Sequence, residues 1–377
     1  MTLRRTALVL ISLSSPAPSV NRPPSRRRWR RPVWTLALTT LFIACALPAC
    51  GNGSSGDTSA TVADRRAVAA ENDTSPSENQ PSSTRSSRPG VKFDSVSAGS
   101  VHTCGVKADR SVVCWGYDRF EPWARSKPPR DKFISVSAGW THTCGVKTGG
   151  SVVCWGNRNF SAWGQFAAVS AGGTHTCGVR TDGSTACRGN DKFGQSTPPD
   201  GAFASVSAGG VHTCGITTNG LVVCWGNDDH GQATPPAGEF ASVSAGGSHT
   251  CGVRAEGTVA CWGRNEFGES APPTGKFDSV SAGGVHTCGV RADGSVACWG
   301  SNVDLLSTAR VDRSGGSLAP DRAGPDEEAP KYAAGQATPP DGEFVAVSAG
   351  IGHTCGVTTD GAVVCWGYDA LGRATPP

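Results

Sequence analysis

From Phe93 onward, apolar and small polar residues alternate in short runs, and the whole pattern returns about every 37 residues. In the copy that begins at Phe240, the alternation from Phe240 to Ala245 predicts a first strand, and Gly246-Gly247 permits a sharp reversal. His249 to Arg254 predicts a second strand, Ala255-Glu256-Gly257 a turn, and Thr258 to Gly263 a third. Copies begin at Phe93, Phe133, Phe166, Phe203, Phe240, Phe277 and Phe344. All seven carry His-Thr-Cys-Gly and six carry Cys-Trp-Gly, the third having Arg188 at the tryptophan position. A period of this length marks an array or propeller whose units bury their faces against their neighbours. The 50 glycines and 25 prolines fit an all-β chain of short strands and tight turns.

The turn between the second and third strands fixes their register. Asp182-Gly183, Asn219-Gly220, Asp293-Gly294 and Asp360-Gly361 each place Gly where a type I turn needs a left-handed residue. Val106 then faces Val112 and, two residues farther from the turn, Cys104 faces Cys114. Opposed residues of an antiparallel pair lie about 4.5 to 5.5 Å apart, within the reach of a disulfide. The same offset of ten pairs Cys144 with Cys154, Cys177 with Cys187, Cys214 with Cys224, Cys251 with Cys261, Cys288 with Cys298, and Cys355 with Cys365. Seven bridges point to an oxidising compartment, and each closes a loop worth roughly 2 to 3 kcal/mol in the chain-entropy model.

A His two residues before each of seven Cys raises the alternative of zinc, but the paired knuckle of structural zinc sites is missing and oxidised cysteines do not ligate. No metal and no cofactor are expected. The repeated histidines, such as His212 and His249, read as structural side chains that bond to backbone near the Gly-Gly reversal. After each third strand, segments such as Asn227 to Pro236 end in Pro-Pro, which cannot continue a central strand and so marks a connection between units.

The motif SAGxxHTCGVxxDGSVxCWGxNxxGQ resembles repeats of the regulator of chromosome condensation superfamily, and the resemblance covers residues 91–377. It implies a seven-bladed β-propeller of short three- or four-stranded blades. The Gly-Gln-x-x-x-Pro ending is more similar to that of bacterial members, including the secreted propeller-type inhibitor of β-lactamases, and implies a binding surface made by loops on one face. The guanine-nucleotide exchange activity of the eukaryotic regulator works through a wedge projecting from one blade, which has no counterpart here. Fold alone does not carry either activity over.

The repeats break in two places. The first two spacings are 40 and 33 residues, and there Tyr117, Arg119, Phe120, Trp123, Trp140, Arg158, Phe160 and Trp163 crowd into loops and reversals. Aromatic and Arg clusters on loops are candidates for a binding site, against the alternative that large rings fill gaps left by altered loop lengths. The second break is an extra segment of about 30 residues within 303–334, which carries Asp326-Glu327-Glu328 and reads as a surface loop.

Arg26, Arg27, Arg28, Arg30 and Arg31 precede an apolar run from Val33 to Leu47 that ends at Pro48-Ala49-Cys50. This resembles a bacterial lipoprotein signal over residues 1–50 and implies cleavage before Cys50 and lipidation of its thiol. Residues 51–90 are too poor in large apolar side chains to offset their ordering entropy and read as a disordered tether. Residues 1–50 hold eight arginines and no acidic residue, which leaves 26 basic against 31 acidic residues in the remainder. A mature chain of that balance, without a basic stripe, is a poor nucleic-acid binder.

No lone nucleophile with a base, outstanding carboxylate pair or phosphate-binding Gly loop emerges. The expectation is a non-enzymatic, monomeric scaffold, exported and anchored to the bacterial cell envelope. Through its blade loops it would bind a protein or cell-wall ligand. The alternative is an inhibitor or regulator of an envelope enzyme such as a β-lactamase or a peptidoglycan-synthesis enzyme.

Overall fold

The structure is a computed structural model and describes residues 84–88, 90–116, 127–157, 160–162, 164–302, 335–369 and 372–377. Cys50, the signal-like segment and the 303–334 insertion lie outside the described residues. The described residues form seven antiparallel sheets and no helix, the seven-bladed propeller expected from the repeats. Blade 1 comprises Phe93–Ala98, His102–Lys107 and Val112–Gly116. Blades 2 to 7 begin at Phe133, Phe166, Phe203, Phe240, Phe277 and Phe344. In every blade the first strand is innermost and the third outermost, and the ends of the first strands line a central channel.

Strand parity explains how the blades pack. In the middle strand of blade 1, His102, Cys104 and Val106 share one face while Thr103 and Gly105 take the other. The first face meets blade 2, where Phe133 and Trp155 pack on Cys104, Val106 and Val112. The same small core recurs around the ring, for example Phe240 and Trp262 on Cys214 and Ile216, and Phe93 and Trp115 on Cys355 and Val357. Each buried Phe or Val stabilises by roughly 1.5 to 3 kcal/mol, so the fold rests on seven modest inter-blade cores. Gly105 is required by its own blade: a Cβ there would lie 2.6 Å from Cδ1 of Phe93.

The first strands do not alternate strictly. Phe93 pairs with Lys107 but Ser95 pairs with Val106, so Asp94 is an extra, bulged residue. The bulge turns Phe93 to the same neighbour as Val96, three positions on, and frees Ser97 for the other face. It recurs at the same place on the first strand in all seven blades, with Ala167 the extra residue in blade 3.

Directly opposed cysteines are bonded in every blade, from Cys104–Cys114 to Cys355–Cys365, with Cα atoms 4.0 to 4.1 Å apart. Among the described residues, two blades gain a fourth strand. Phe160–Ala162 adds to the edge of blade 2, with Phe160 opposite Cys154, so Phe160 is a strand residue and not a loop residue as its neighbourhood suggested. Arg85–Ser86 adds to the edge of blade 7, with Arg85 opposite Cys365. The propeller therefore reaches back into the stretch 51–90 that composition assigned to a tether. A two-residue strand held by backbone bonds, with a buried Ser87 behind it, leaves no apolar signature.

Candidate functional site

Three closed circuits surround the channel, one inside the next. On the innermost, the residue after each Ala-Gly donates its N–H to the glycine carbonyl of the next blade, from Trp140 to Gly172 and on to Ile351, which returns to Gly99. The approach is close enough to require glycine: a Cβ on Gly172 would sit 2.4 Å from the carbonyl oxygen of Gly209. In the second circuit, each Ala amide donates to a serine hydroxyl of the previous blade, as Ala138 does to Ser97 and Ala98 to Ser348.

The third circuit holds the histidines. His102 Nε2 meets Thr143 Oγ1 at 2.6 Å, and the pairing continues through His142–Thr176, His175–Thr213, His212–Thr250, His249–Thr287 and His286–Thr354 to His353–Thr103. The histidines thus bond a threonine hydroxyl of the next blade, which corrects the expectation of backbone partners. Sequence spacing gives distances within a blade, and the partner lies about one repeat away. The Thr250 hydroxyl also donates to the Gln232 carbonyl, so it accepts from His212, whose Nε2 carries the proton. Burial, first among the causes, pushes His175 and His212 down to about 4 and His249 and His286 down to about 3. These rings are neutral, sealed from solvent and committed to structure.

The connections staple neighbouring blades. The Gln195 carbonyl accepts from the Thr213 hydroxyl and the Trp225 indole of the following blade, and Gln232, Glu269 and Gln336 repeat the arrangement. At the junction before blade 1 the Arg373 carbonyl takes the Thr103 hydroxyl alone, and the junction before blade 3 departs further. Between blades 2 and 3 the connection becomes the strand Phe160–Ala162, the Gly-Gln turn is displaced, and blade 3 carries an exposed Arg188 in place of the tryptophan that would need that carbonyl.

The Ala-Gly reversals and the starts of the connections share one end of the propeller, since the last residue of each third strand pairs with the histidine that follows the reversal. At this end Trp140, 38% exposed, lies across the reversals of the next two blades. Cβ atoms on Gly173 and Gly210 would come within 3.2 and 3.0 Å of its ring, so the two glycines form its bed. The Ser100 hydroxyl holds the Trp140 carbonyl at 2.6 Å. Of the sequence-derived candidates, Trp140 is thus placed at the channel mouth. Tyr117, Arg119, Phe120, Trp123, Arg158 and Trp163 lie outside the described residues, although the flanking Gly116 and Asn157 belong to the same end.

Sequence reasoning missed two exposed rings on this end. Phe193 and Phe267 stand at the tips of the connections after blades 3 and 5, 42% and 41% exposed, beneath Lys192 and Arg264 respectively. The signal was present as an aromatic just before the Gly-Gln or Gly-Glu of the turn. The turns are rigid: Asp191 accepts from the Ser196 amide and the Thr197 hydroxyl. Among the described residues no group of three or more His, Cys, Asp or Glu stands together as a metal site.

Six segments, 93–120, 133–161, 203–232, 240–269, 277–304 and 344–373, match the family model described as the regulator of chromosome condensation (RCC1) repeat. The unmatched blade is the third, which lacks the tryptophan. Among solved structures, the chain is similar to the CRINKLY WD40 ectodomain of the Arabidopsis thaliana receptor kinase ACR4, at 25% identity and a TM-score of 0.56, covering 74% of this chain and 98% of that one. It is also similar to the entire ectodomain of the Physcomitrella patens receptor kinase CR4, at 26% identity and a TM-score of 0.57, covering 74% of each. Prp20p from Saccharomyces cerevisiae shares the fold at 16% identity and a TM-score of 0.54, over 73% of this chain and 82% of that one. No curated protein matches the chain.

Proposed function

Because this chain belongs to the regulator of chromosome condensation (RCC1) repeat family, we propose that it is a non-enzymatic binding scaffold of the cell envelope, with the reversal end as its recognition face. One observation carries the reading. Trp140 exposes a large ring at the channel mouth, on the same end as the exposed Phe193 and Phe267. Exposed aromatic rings on a rigid frame provide contact area at low entropic cost, which is the composition of binding hot spots.

The setting supports an exported protein. Seven disulfides belong to an oxidising environment, and the two plant neighbours are receptor ectodomains. Anchoring through Cys50 rests on the signal-like sequence before it. The seven repeat histidines are buried in the inter-blade circuit, and burial keeps those of blades 3 to 7 neutral, which favours binding over catalysis there.

The test is capture from the envelope fraction with the oxidised protein as bait, beside a variant carrying Phe193→Ala and Phe267→Ala. Partner recovery that falls with the variant supports this face. Recovery of a single enzyme in stoichiometric amount identifies the inhibitor or regulator role. Recovery that neither the double variant nor Trp140→Gly changes removes the reversal end from recognition.

A further inference from the structure

We propose that the channel mouth beside Trp140 receives a single arginine side chain from a protein partner; this deepens the scaffold reading and rests on it. The mouth opens into a well of about 70 Å³, lined by Ala and Gly with Trp140 and Ile351, and no charged side chain lines it. What the well offers a ligand is decided by its backbone.

Its donors are spent. The amides of Gly99, Gly139, Gly172, Gly209, Gly246, Gly283 and Gly350 bond to the histidine carbonyls of their own blades. The amides one residue on, from Ser100 to Ile351, close the innermost circuit. Its acceptors are only partly used. The carbonyls of Ser100, Trp140 and Gly173 take bonds from Arg373, the Ser100 hydroxyl and the Thr141 hydroxyl. Those of Gly247, Gly284 and Ile351, which line the well, accept no hydrogen bond among the described residues.

Behind the rim lie more acceptors. His212 and His249 are neutral, with Nδ1 atoms that have no partner. Each abuts the rim, 2.9 and 3.0 Å from where Cβ atoms on Gly209 and Gly246 would sit. The mouth thus combines an exposed indole, unpaired carbonyl dipoles and neutral imidazoles, all of which favour positive charge and hydrogen-bond donors. A guanidinium fits all three terms: it stacks on an indole, carries five N–H donors in a plane and has no acceptor to leave unsatisfied.

The test uses the oxidised protein labelled with 5-fluorotryptophan, with the Trp140 resonance assigned by its loss in Trp140→Gly. That substitution places at position 140 the residue that blades 3 to 6 carry at the same site, Gly173, Gly210, Gly247 and Gly284, so the blade keeps its backbone circuit. The probes are acetyl-Gly-Arg-Gly-amide, its norleucine counterpart and N-acetylglucosamine. The expected result is a saturable shift of Trp140 with the arginine peptide, at least tenfold tighter than with norleucine and weakened by salt. Equal affinity for norleucine, tighter binding of the sugar, or no saturable shift overturns the proposal. Envelope capture that Trp140→Gly leaves intact, with no probe response, rejects the arginine site while the scaffold reading stands.

Discussion

His353 Nε2 lies 2.7 Å from Thr103 Oγ1 and joins the last blade to the first, by the contact that joins every other pair of blades. The ring is thereby closed in its interior by a pairing encoded once per repeat. Thr103 also donates to the Arg373 carbonyl, so the hydroxyl links three segments. Thr103→Val keeps the shape and leaves a buried imidazole N–H and a carbonyl unpaired, a loss of about 1 to 3 kcal/mol. Urea unfolding of Thr103→Val beside Thr250→Val should show similar losses. A neutral Thr103→Val would mean that the closing blade does not depend on this circuit.

Acid should dismantle the same circuit. Burial holds His175 and His212 at about 4, His249 and His286 at about 3, and His353 well below its ordinary value, all beneath the value near 6.5 of an unfolded histidine. Below pH 6.5 the unfolded chain therefore binds more protons than the folded one. Stability is complete above that pH and falls as pH drops toward 4, by on the order of 1.4 kcal/mol per pH unit for each histidine. Asp182, Asp293 and Asp360, held low by the hydroxyls of Ser184, Ser295 and Thr358, add losses only below the ordinary carboxylate range. Urea midpoints at pH 7, 6 and 5 check the window, and equal midpoints would contradict it.

The connection after blade 5 offers a double-mutant test. Glu269 is buried where Gln232 stands one blade earlier, and Arg264 replaces the Asn227 that Gln232 bonds. Arg264 and Glu269 face one another at 3.8 Å, so an ion pair has taken the place of an amide pair. Arg264→Asn alone removes the cation beside a buried carboxylate, leaving it the Phe267 amide, and should cost about 3 kcal/mol. Arg264→Asn with Glu269→Gln rebuilds the blade 4 arrangement and should recover most of that loss in thermal melts. A double variant no better than the single one would show that the two positions act independently.

Much of this fold could be read from the chain because each blade repeats a short alternating code with Gly at fixed turns. The opposition of Cys104 and Cys114 followed from one turn and one offset. The partner of a histidine did not, since His212 and Thr250 meet across a blade boundary that spacing within a unit does not define. Nor did the facing of Phe93, whose side is decided by the bulge at Asp94. At the candidate site, Trp140 stood out as a large ring where blades 3 to 6 have glycine, whereas Phe193 and Phe267 passed as ordinary turn residues. Their exposure depends on the turn around them, and composition does not register it.

The fourth strands separate the disulfides into two classes. Cys154 and Cys365 are 3% and 0% exposed, because Phe160–Ala162 and Arg85–Ser86 cover the edges that carry them. Cys114, Cys187, Cys224, Cys261 and Cys298 lie on edges that carry no fourth strand among the described residues, and they are half-buried. Thiol–disulfide exchange needs access to a sulfur, so limited reduction should open these five bridges before Cys144–Cys154 and Cys355–Cys365. Alkylation and peptide mass spectrometry over a reduction time course read the order. Deleting residues 1–88 should move one bridge between classes. It removes the cover over Cys365 along with the bond from the Ser87 amide to the Val363 carbonyl and that from Arg88 to Pro377. Cys355–Cys365 should then reduce with the exposed five, and stability should fall by about 2 kcal/mol from the lost edge bonds. If that bridge keeps its resistance in the shortened protein, its protection comes from packing against Phe93 and Trp115 of blade 1, not from the added strand.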